Sequence, residues 1–72
     1  MSVTTINTRN QFKGTVAAIH RSPVVSEIEV ETPAGIISAV VTTSSIDRLN
    51  LRVGDAALAV FKATDVLVAK ID

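Results

Sequence analysis

Apolar and polar residues alternate along much of this chain with the period of β-strands, most clearly over residues 26–32. In that stretch, Ser-Glu-Ile-Glu-Val-Glu-Thr, the alternation places Ile28 and Val30 on one face and the glutamates on the other. This pattern is typical of a strand with one buried face. A turn cluster at 33–35 and a β-branched run at 36–42 follow, so the sequence predicts a hairpin.

Further stretches predict additional strands and one helix. Hydroxyl residues at 43–45 are favoured helix N-caps, and the spacing of Ile46 and Leu49 predicts a short helix. Residues 1–10 carry little periodicity and predict an extended arm. The predicted strands are 15–19, 26–32, 36–42, 56–62 and 66–70. This order indicates an all-β fold, a small OB-like five-stranded Greek-key barrel with one short helix, forming a single domain over residues 1–72.

The size and composition of the chain favour assembly into an oligomer. A chain of 72 residues is near the lower size limit for independent folding, and small folds usually gain stability from disulfides, a metal or a partner subunit. The sequence has no cysteine, which excludes disulfides and thiolate metal sites, and its single histidine, His20, leaves a zinc site short of ligands. We therefore expect a homo-oligomer without a metal ion coordinated by side chains.

Charge and aromatic content argue against nucleic acid and membrane partners. Lysine plus arginine and aspartate plus glutamate each total 7, so the zero net charge provides no long-range attraction for polyanions. Two phenylalanines are the only aromatic residues, so the chain lacks the stacking surface of single-strand-binding barrels. Its apolar runs are too short to span a bilayer and its first residues do not resemble a signal peptide, which predicts a cytoplasmic protein.

The sequence also lacks a convincing pair of catalytic residues. His20 is the only conventional base, and its position before residues 21–23, Arg-Ser-Pro, predicts an exposed loop residue. The glutamates within 26–32 share an exposed face, and nothing in their spacing distinguishes one of them as an acid. We predict that the protein is not an enzyme.

Several polar residues would together suit the capture of a small anion. A tetrahedral dianion accepts hydrogen bonds on all sides, and cations, hydroxyls and free N–H groups at a helix start are the donors it needs. The candidate residues are Asn7, Arg9, Asn10, Thr42, Ser45 and Lys62. Considered singly, each is equally well explained as a surface charge, a strand-end residue or a helix cap, and periodicity alone does not show that they converge.

Motifs spread over nearly the whole chain resemble those of one family. The segment 6–14, Ile-Asn-Thr-Arg-Asn-Gln-Phe-Lys-Gly, is similar to the opening motif of the molbindin (Mop or TOBE domain) family, Ile-Ser-Ala-Arg-Asn-Gln-Leu-Lys-Gly. The middle of the family resembles residues 40–42 (Val-Val-Thr), Ser45 and residues 49–51 (Leu-Asn-Leu). Its C-terminal end resembles residues 53–55 (Val-Gly-Asp) and 61–66 (Phe-Lys-Ala-Thr-Asp-Val).

The resemblance implies an OB-like barrel that binds molybdate or tungstate. Stand-alone members of the family resemble cytoplasmic storage or homeostasis proteins and assemble as hexamers, arranged as trimers of dimers, with the principal oxyanion site between subunits. Arg9 and Lys62 would compensate the charge of the anion, while hydroxyl and N–H groups would fix its geometry. Carried over by position, the oxyanion-binding residues are Asn7, Arg9, Thr42, Ser45, Lys62 and Ala63, the last through its backbone N–H.

Two departures from the family pattern bear on this site. Asn7 stands where the family has serine, and Thr8 stands where it has alanine, which changes the local fit. Residues 24–26, Val-Val-Ser after Pro23, occupy a region where the family has Val-Asn-Ala, a segment tied to secondary anion sites near the oligomer axes. Two alternatives therefore stay open: a structural or oligomerisation domain whose anion site is lost, and a nucleic-acid-binding OB module.

Overall fold

One antiparallel sheet and one short helix make up the fold, as seen in a computed structural model that describes residues 7–72. Residues 1–6, most of the predicted extended arm, lie outside the described residues. The elements are β1 (Asn10–His20), β2 (Val25–Thr32), β3 (Gly35–Thr42), α1 (Thr43–Leu49), β4 (Ala56–Phe61) and a 3-10 turn (Ala63–Asp65). The strands lie in the order β3-β2-β1-β4.

The β2–β3 hairpin follows the alternation in the sequence. Ile28 and Val30 are buried, and the predicted turn joins Thr32 to Gly35, which has a positive φ of 107°. The Thr32 hydroxyl donates to the Gly35 carbonyl at 2.7 Å and accepts from the Ala34 N–H at 3.1 Å. The predicted hairpin is thus confirmed, with a side chain that closes its turn.

Strand β1 is longer than the predicted segment 15–19 because it pairs with two different strands. Its first half pairs with β4, from Asn10 opposite Phe61 to Thr15 opposite Ala56, and its second half pairs with β2 through to His20. His20 is therefore the last residue of a strand, whereas the sequence predicted a loop residue. The extra length escaped the periodicity because much of the first half is exposed on both faces.

The change of partner along β1 depends on Gly14. A Cβ atom at this position would lie 2.1 Å from the carbonyl oxygen of Glu31, far inside van der Waals contact. Only glycine lets the two strands approach this closely. Just beyond, the register shifts between Val16 and Ala18, a bulge of the kind that bends a strand and curls its sheet.

A small core lies between the curled sheet and α1. Its buried apolar side chains are Val16, Ile28, Val30 and Ile46. Ile46, which is 2% exposed, is the residue through which α1 covers the sheet. The buried Ser26 hydroxyl lies 2.6 Å from the Thr43 hydroxyl, so a hydrogen bond ties the start of the helix to β2.

The helix begins one residue earlier than the hydroxyls at 43–45 suggested. Thr42 keeps the extended backbone of β3, and its hydroxyl accepts from the Ser45 N–H, which makes Thr42 the N-cap. At the other end Asn50 adopts the left-handed conformation with φ 51°, and Leu51 donates its N–H to the Ile46 carbonyl. Among residues 7–72, no helix is long and apolar enough to cross a membrane.

The predicted fifth strand, residues 66–70, is not formed. After the 3-10 turn the chain has no regular structure, and Leu67 and Val68 are 95% and 94% exposed. A strand needs a neighbouring strand for its backbone hydrogen bonds, and within residues 7–72 this segment pairs with none. The all-β class with one short helix is therefore confirmed, with four strands rather than five in the described part of the chain.

Candidate anion-binding site

One group of predicted ligands collects where β1 begins and β4 ends. The last pair of this ladder is Asn10 opposite Phe61, so Arg9 directly precedes the ladder on one strand and Lys62 directly follows it on the other. Asn7 lies just before Arg9, and Ala63 just after Lys62. All four are exposed, and we call this set (Asn7, Arg9, Lys62 and Ala63) the basic half-site.

Two features outside the predicted ligand set hold the basic half-site in place. The Thr8 hydroxyl donates to the Phe61 carbonyl at 2.7 Å, which joins the segment before β1 to the end of β4. The rings of Phe12 and Phe61 stack with centroids 5.9 Å apart. These two contacts fix the end of the ladder next to Arg9 and Lys62.

The other predicted ligands, Thr42 and Ser45, form a second group, which we call the hydroxyl half-site. Their hydroxyl oxygens are 2.6 Å apart, and the Thr42 oxygen also accepts from the Ser45 N–H at 3.2 Å. Ser44 donates its hydroxyl proton to Thr42 at 3.3 Å. The end of β3 and the first turn of α1 therefore place three hydroxyl groups together at one exposed corner.

Arg48 adds a cation to the hydroxyl half-site that the sequence analysis did not identify. Its guanidinium donates to the Ser45 hydroxyl at 3.3 Å. The spacing of three residues brings these side chains together on one face of the helix, and that spacing was a signal available in the sequence. Positive charge therefore accompanies both half-sites.

The two half-sites lie at opposite ends of strand β1. Thr42 pairs with Val25 at the start of β2, which is the end of the sheet where β1 finishes at His20. Arg9 lies before the opposite end of β1. Groups that bind one small anion must all lie within hydrogen-bonding reach of it. Within residues 7–72, no hydrogen bond joins the two half-sites, and the hydroxyls of Thr42 and Ser45 bond within their own group and to Arg48.

The unusual segment 24–26 offers little to an anion. Val24 and Val25 are exposed apolar residues, with 74% and 49% of their surfaces accessible. Ser26 is 4% exposed, and its hydroxyl contacts Thr43 and accepts from the Ser22 N–H. This segment anchors the start of α1, and its one hydroxyl is already engaged.

Comparison with known sequences finds one matching family model and two kinds of relative, one matched over nearly its whole length and one matched only in part. The sequence model of the TOBE domain matches residues 6–68. A probable molybdenum-pterin-binding protein from Haemophilus influenzae is 38% identical over 64 residues, which cover 88% of this chain and 93% of that protein. A molybdenum transport protein, ModE, from Herbaspirillum seropedicae is 45% identical over 65 residues, and the match spans only 24% of its length.

Solved structures share the fold. MopII from Clostridium pasteurianum, in an apo form, superposes with a TM-score of 0.86 at 31% identity, covering 92% of this chain and all of that one. The cytoplasmic molybdate-binding protein ModG, crystallised with molybdate bound, superposes with a TM-score of 0.75 at 41% identity over 81% of this chain and 42% of its own. These likenesses confirm the OB-like fold class predicted from the sequence.

Proposed function

Because the chain belongs to the TOBE domain family, we propose that it binds molybdate or tungstate, without catalysing a reaction, at sites formed between subunits. Relatives covered over almost their whole length are named for molybdenum-pterin binding, and a structural neighbour was crystallised with molybdate. That neighbour is described as cytoplasmic, and we propose the same location and a storage or homeostasis role for this chain.

The observation that carries the proposal is the separation of the half-sites. Arg9 and Lys62 lie next to the start of β1, while Thr42 and Ser45 lie at the other end of the sheet, where β1 finishes at His20. Two copies that bring the basic half-site of one to the hydroxyl half-site of the other would surround an anion with complementary groups. A site between subunits therefore accounts for an arrangement that a site within one chain does not.

The chemistry of the combined site suits a tetrahedral dianion. Arg9 and Lys62 supply positive charge, and Arg48 adds to it beside Ser45. Ala63 begins the 3-10 turn, so its backbone N–H has no partner within that turn and is available as a donor. The hydroxyls and the Asn7 amide complete the donor set. Rejection of sulfate, which has the same charge and shape, would come from the size of the cavity.

Exposed apolar surface supports the assembly that such a site requires. In the irregular segment after the 3-10 turn, Leu67, Val68 and Ile71 are each more than nine-tenths exposed. The two outer strands of the four-stranded sheet, β3 and β4, each have one edge without a partner in the described part of the chain. We propose that residues 66–70 cover such surface on a second copy, within a homo-oligomer built as a trimer of dimers.

Isothermal titration of the purified oligomer with molybdate, with sulfate as the control anion, tests the proposal. We expect saturable heat from molybdate, little heat from sulfate, and an affinity at least roughly tenfold weaker in Arg9→Ala and in Lys62→Ala, because each loses a charge-assisted hydrogen bond. Arg52→Ala is the matched control, since Arg52 carries the same charge in the turn before β4 and belongs to neither half-site.

The outcomes of this titration separate the alternatives. Absence of heat from molybdate in an intact oligomer would leave a structural domain whose anion site is lost. Retardation of a labelled oligonucleotide at low salt would instead support a nucleic-acid-binding module. Equal weakening by Arg52→Ala and Arg9→Ala would mean that general charge, and not the basic half-site, attracts the anion.

A further inference from the structure

A cluster of three side chains lies on the outer face of the β1–β2 ladder, at the end of the sheet where Thr42 also lies on β3. His20 pairs directly with Glu27 across the ladder, and Glu29 follows two residues later on the same face of β2. The His20 Nε2 and Glu29 Oε2 atoms are 2.6 Å apart. One ligand atom from each of the three residues lies within 4.8 Å of the other two.

We propose that His20, Glu27 and Glu29 bind a divalent transition-metal ion of the Zn²⁺ class. Imidazole nitrogen and carboxylate oxygen are both zinc ligands, and three protein ligands with water in the fourth position form an open tetrahedral site. The two carboxylates offset the charge of the ion. In the sequence a single histidine provides too few zinc ligands, and only the strand register brings the two carboxylates to it.

The geometry of the cluster is close to what the ion requires. Zinc–ligand bonds of about 2.0–2.1 Å place tetrahedral ligands roughly 3.4 Å from one another. The His20 Nε2 and Glu29 Oε2 atoms, 2.6 Å apart, must therefore separate by about 0.8 Å as the ion replaces their shared proton, while the Glu27 oxygen, within 4.8 Å of both, must approach by at most about 1.4 Å. The Glu27 side chain is exposed and can move toward the other two. Strands β1 and β2 hold the three Cα atoms in fixed register. Only side-chain rotation is therefore needed.

The surroundings of the cluster are also favourable to a cation. On either side of Glu29 in the sheet lie Ala18 of β1 and Ser38 of β3, two small residues that leave space above the strands. The charged groups that β2 contributes to this face are all carboxylates, and β3 contributes uncharged residues. The residues on this face are Glu27, Glu29 and Glu31 of β2, and Ile36, Ser38, Val40 and Thr42 of β3.

The nearest cation along the chain is engaged elsewhere. Arg21 follows His20 directly, but its guanidinium lies 2.8 Å from the Asp47 carboxylate of α1. Its positive charge is thus paired with the helix and does not neutralise the cluster.

Metal binding would compete with a proton for the same atoms. The contact between His20 and Glu29 is a hydrogen bond, so Nε2 and the carboxylate share a proton that a metal ion must displace. Binding of the ion should therefore release protons and weaken in acid.

The test is a titration of the full-length oligomer with zinc chloride in metal-free buffers, with proton release measured from buffers of different ionisation enthalpy. We expect one Zn²⁺ per chain, release of protons near neutral pH, and loss of binding in His20→Ala. Glu27→Gln is the sharper variant because it keeps the His20–Glu29 hydrogen bond and removes only the third ligand. We expect its zinc affinity to fall by about tenfold or more.

Glu31→Gln is the matched control, since Glu31 lies on the same face of β2 outside the cluster and loses the same charge. Its zinc affinity should change by no more than about twofold, the effect of a screened surface charge. Equal weakening in Glu27→Gln and Glu31→Gln, or no zinc binding by the wild-type protein, would overturn the proposal. Molybdate titration of Glu27→Gln should still show saturable binding, no weaker than wild type because the substitution removes a negative charge near Thr42. Loss of zinc affinity with molybdate binding retained separates this site from the anion site.

Discussion

At the scale of the residue, His20 and Glu29 form a pair whose strength depends on pH. The raised pKa of His20, caused first by its hydrogen bond to Glu29, means that the folded protein holds the histidine proton more tightly than the unfolded chain does. A raised pKa contributes stability that is fully present below 6.5, the ordinary value, and is lost as pH rises through the folded-state pKa.

We therefore predict that Glu29→Gln is less stable than the wild type mainly at low pH, where His20 is protonated. Its melting temperature should fall below that of the wild type under pH 6.5, and the two should converge as pH rises and His20 becomes neutral. Thermal melts in metal-free buffer on both sides of that pH check this expectation. His20→Ala should show the same convergence. A constant difference at every pH would mean that Glu29 stabilises the fold independently of the histidine proton.

Individual residues were predictable to the extent that they belong to a motif or a pattern. Arg9, Thr42 and Lys62 could be proposed as ligands from the resemblance of their segments to a family. Thr8 was noted only as a departure, because its bond to Phe61 joins positions 53 residues apart in the sequence. The partners of His20 were missed for the same reason, since cross-strand register is set by the whole sheet.

At the scale of the element, Thr42 has two roles where β3 ends and α1 begins. Its backbone completes the strand, and its hydroxyl accepts the Ser45 N–H as the helix N-cap. The helix has only seven residues and contributes Ile46 to the core, so the loss of its cap should affect the whole domain. The same hydroxyl belongs to the hydroxyl half-site. Stability and anion affinity should therefore fall together when it is removed.

We predict that Thr42→Val lowers the free energy of unfolding by about 1 kcal/mol, the usual cost of losing an N-cap. Valine keeps the shape and the preference for extended backbone, so the loss isolates the hydroxyl. Urea unfolding at fixed protein concentration measures the change, and molybdate titration should show weaker binding. Ser44→Ala, which removes a neighbouring hydroxyl and leaves the cap, should be nearly as stable as the wild type. Equal stability of Thr42→Val would contradict the capping role.

The elements could be predicted from the sequence wherever one face is buried. Strand β2 alternates strictly because Ile28 and Val30 face the core and the glutamates face outward. The first half of β1 gave no such signal, since it pairs with β4 while most of its side chains stay exposed. The segment 66–70 has the composition of a strand but no partner strand in the described part of the chain. The composition of a segment shows that it favours extended backbone. Whether it forms a strand depends on a neighbouring strand with which it can pair.

At the scale of the whole molecule, mixing two defective variants distinguishes a site between chains from a site within one. Arg9→Ala/Lys62→Ala removes the charges of the basic half-site, and Thr42→Ala/Ser45→Ala removes the hydroxyl half-site. Each variant alone should bind molybdate poorly. Mixed oligomers are prepared by co-expression with two affinity tags. In some of their interfaces, the unaltered hydroxyl half-site of the first variant meets the unaltered basic half-site of the second.

We predict that such mixed oligomers regain molybdate binding at a fraction of their sites. Isothermal titration of the doubly purified material should show sites of wild-type affinity at reduced number. Oligomers carrying both sets of substitutions in every chain are the control and should bind at none. If the mixed material binds no better than its components, each anion is held by a single chain.

The placement of the two half-sites at opposite ends of β1 has a consequence for the release of the anion. If the anion site forms between subunits as proposed, every chain contributes one part of each kind, and a closed ring or dimer would form as many complete sites as it has chains. A dissociated subunit would retain none. The occupied site and the assembled state would then stabilise each other, and the protein's own concentration would govern how tightly it holds the anion. Dilution, or any partner that separates the subunits, would discharge the anion without a change in a single side chain.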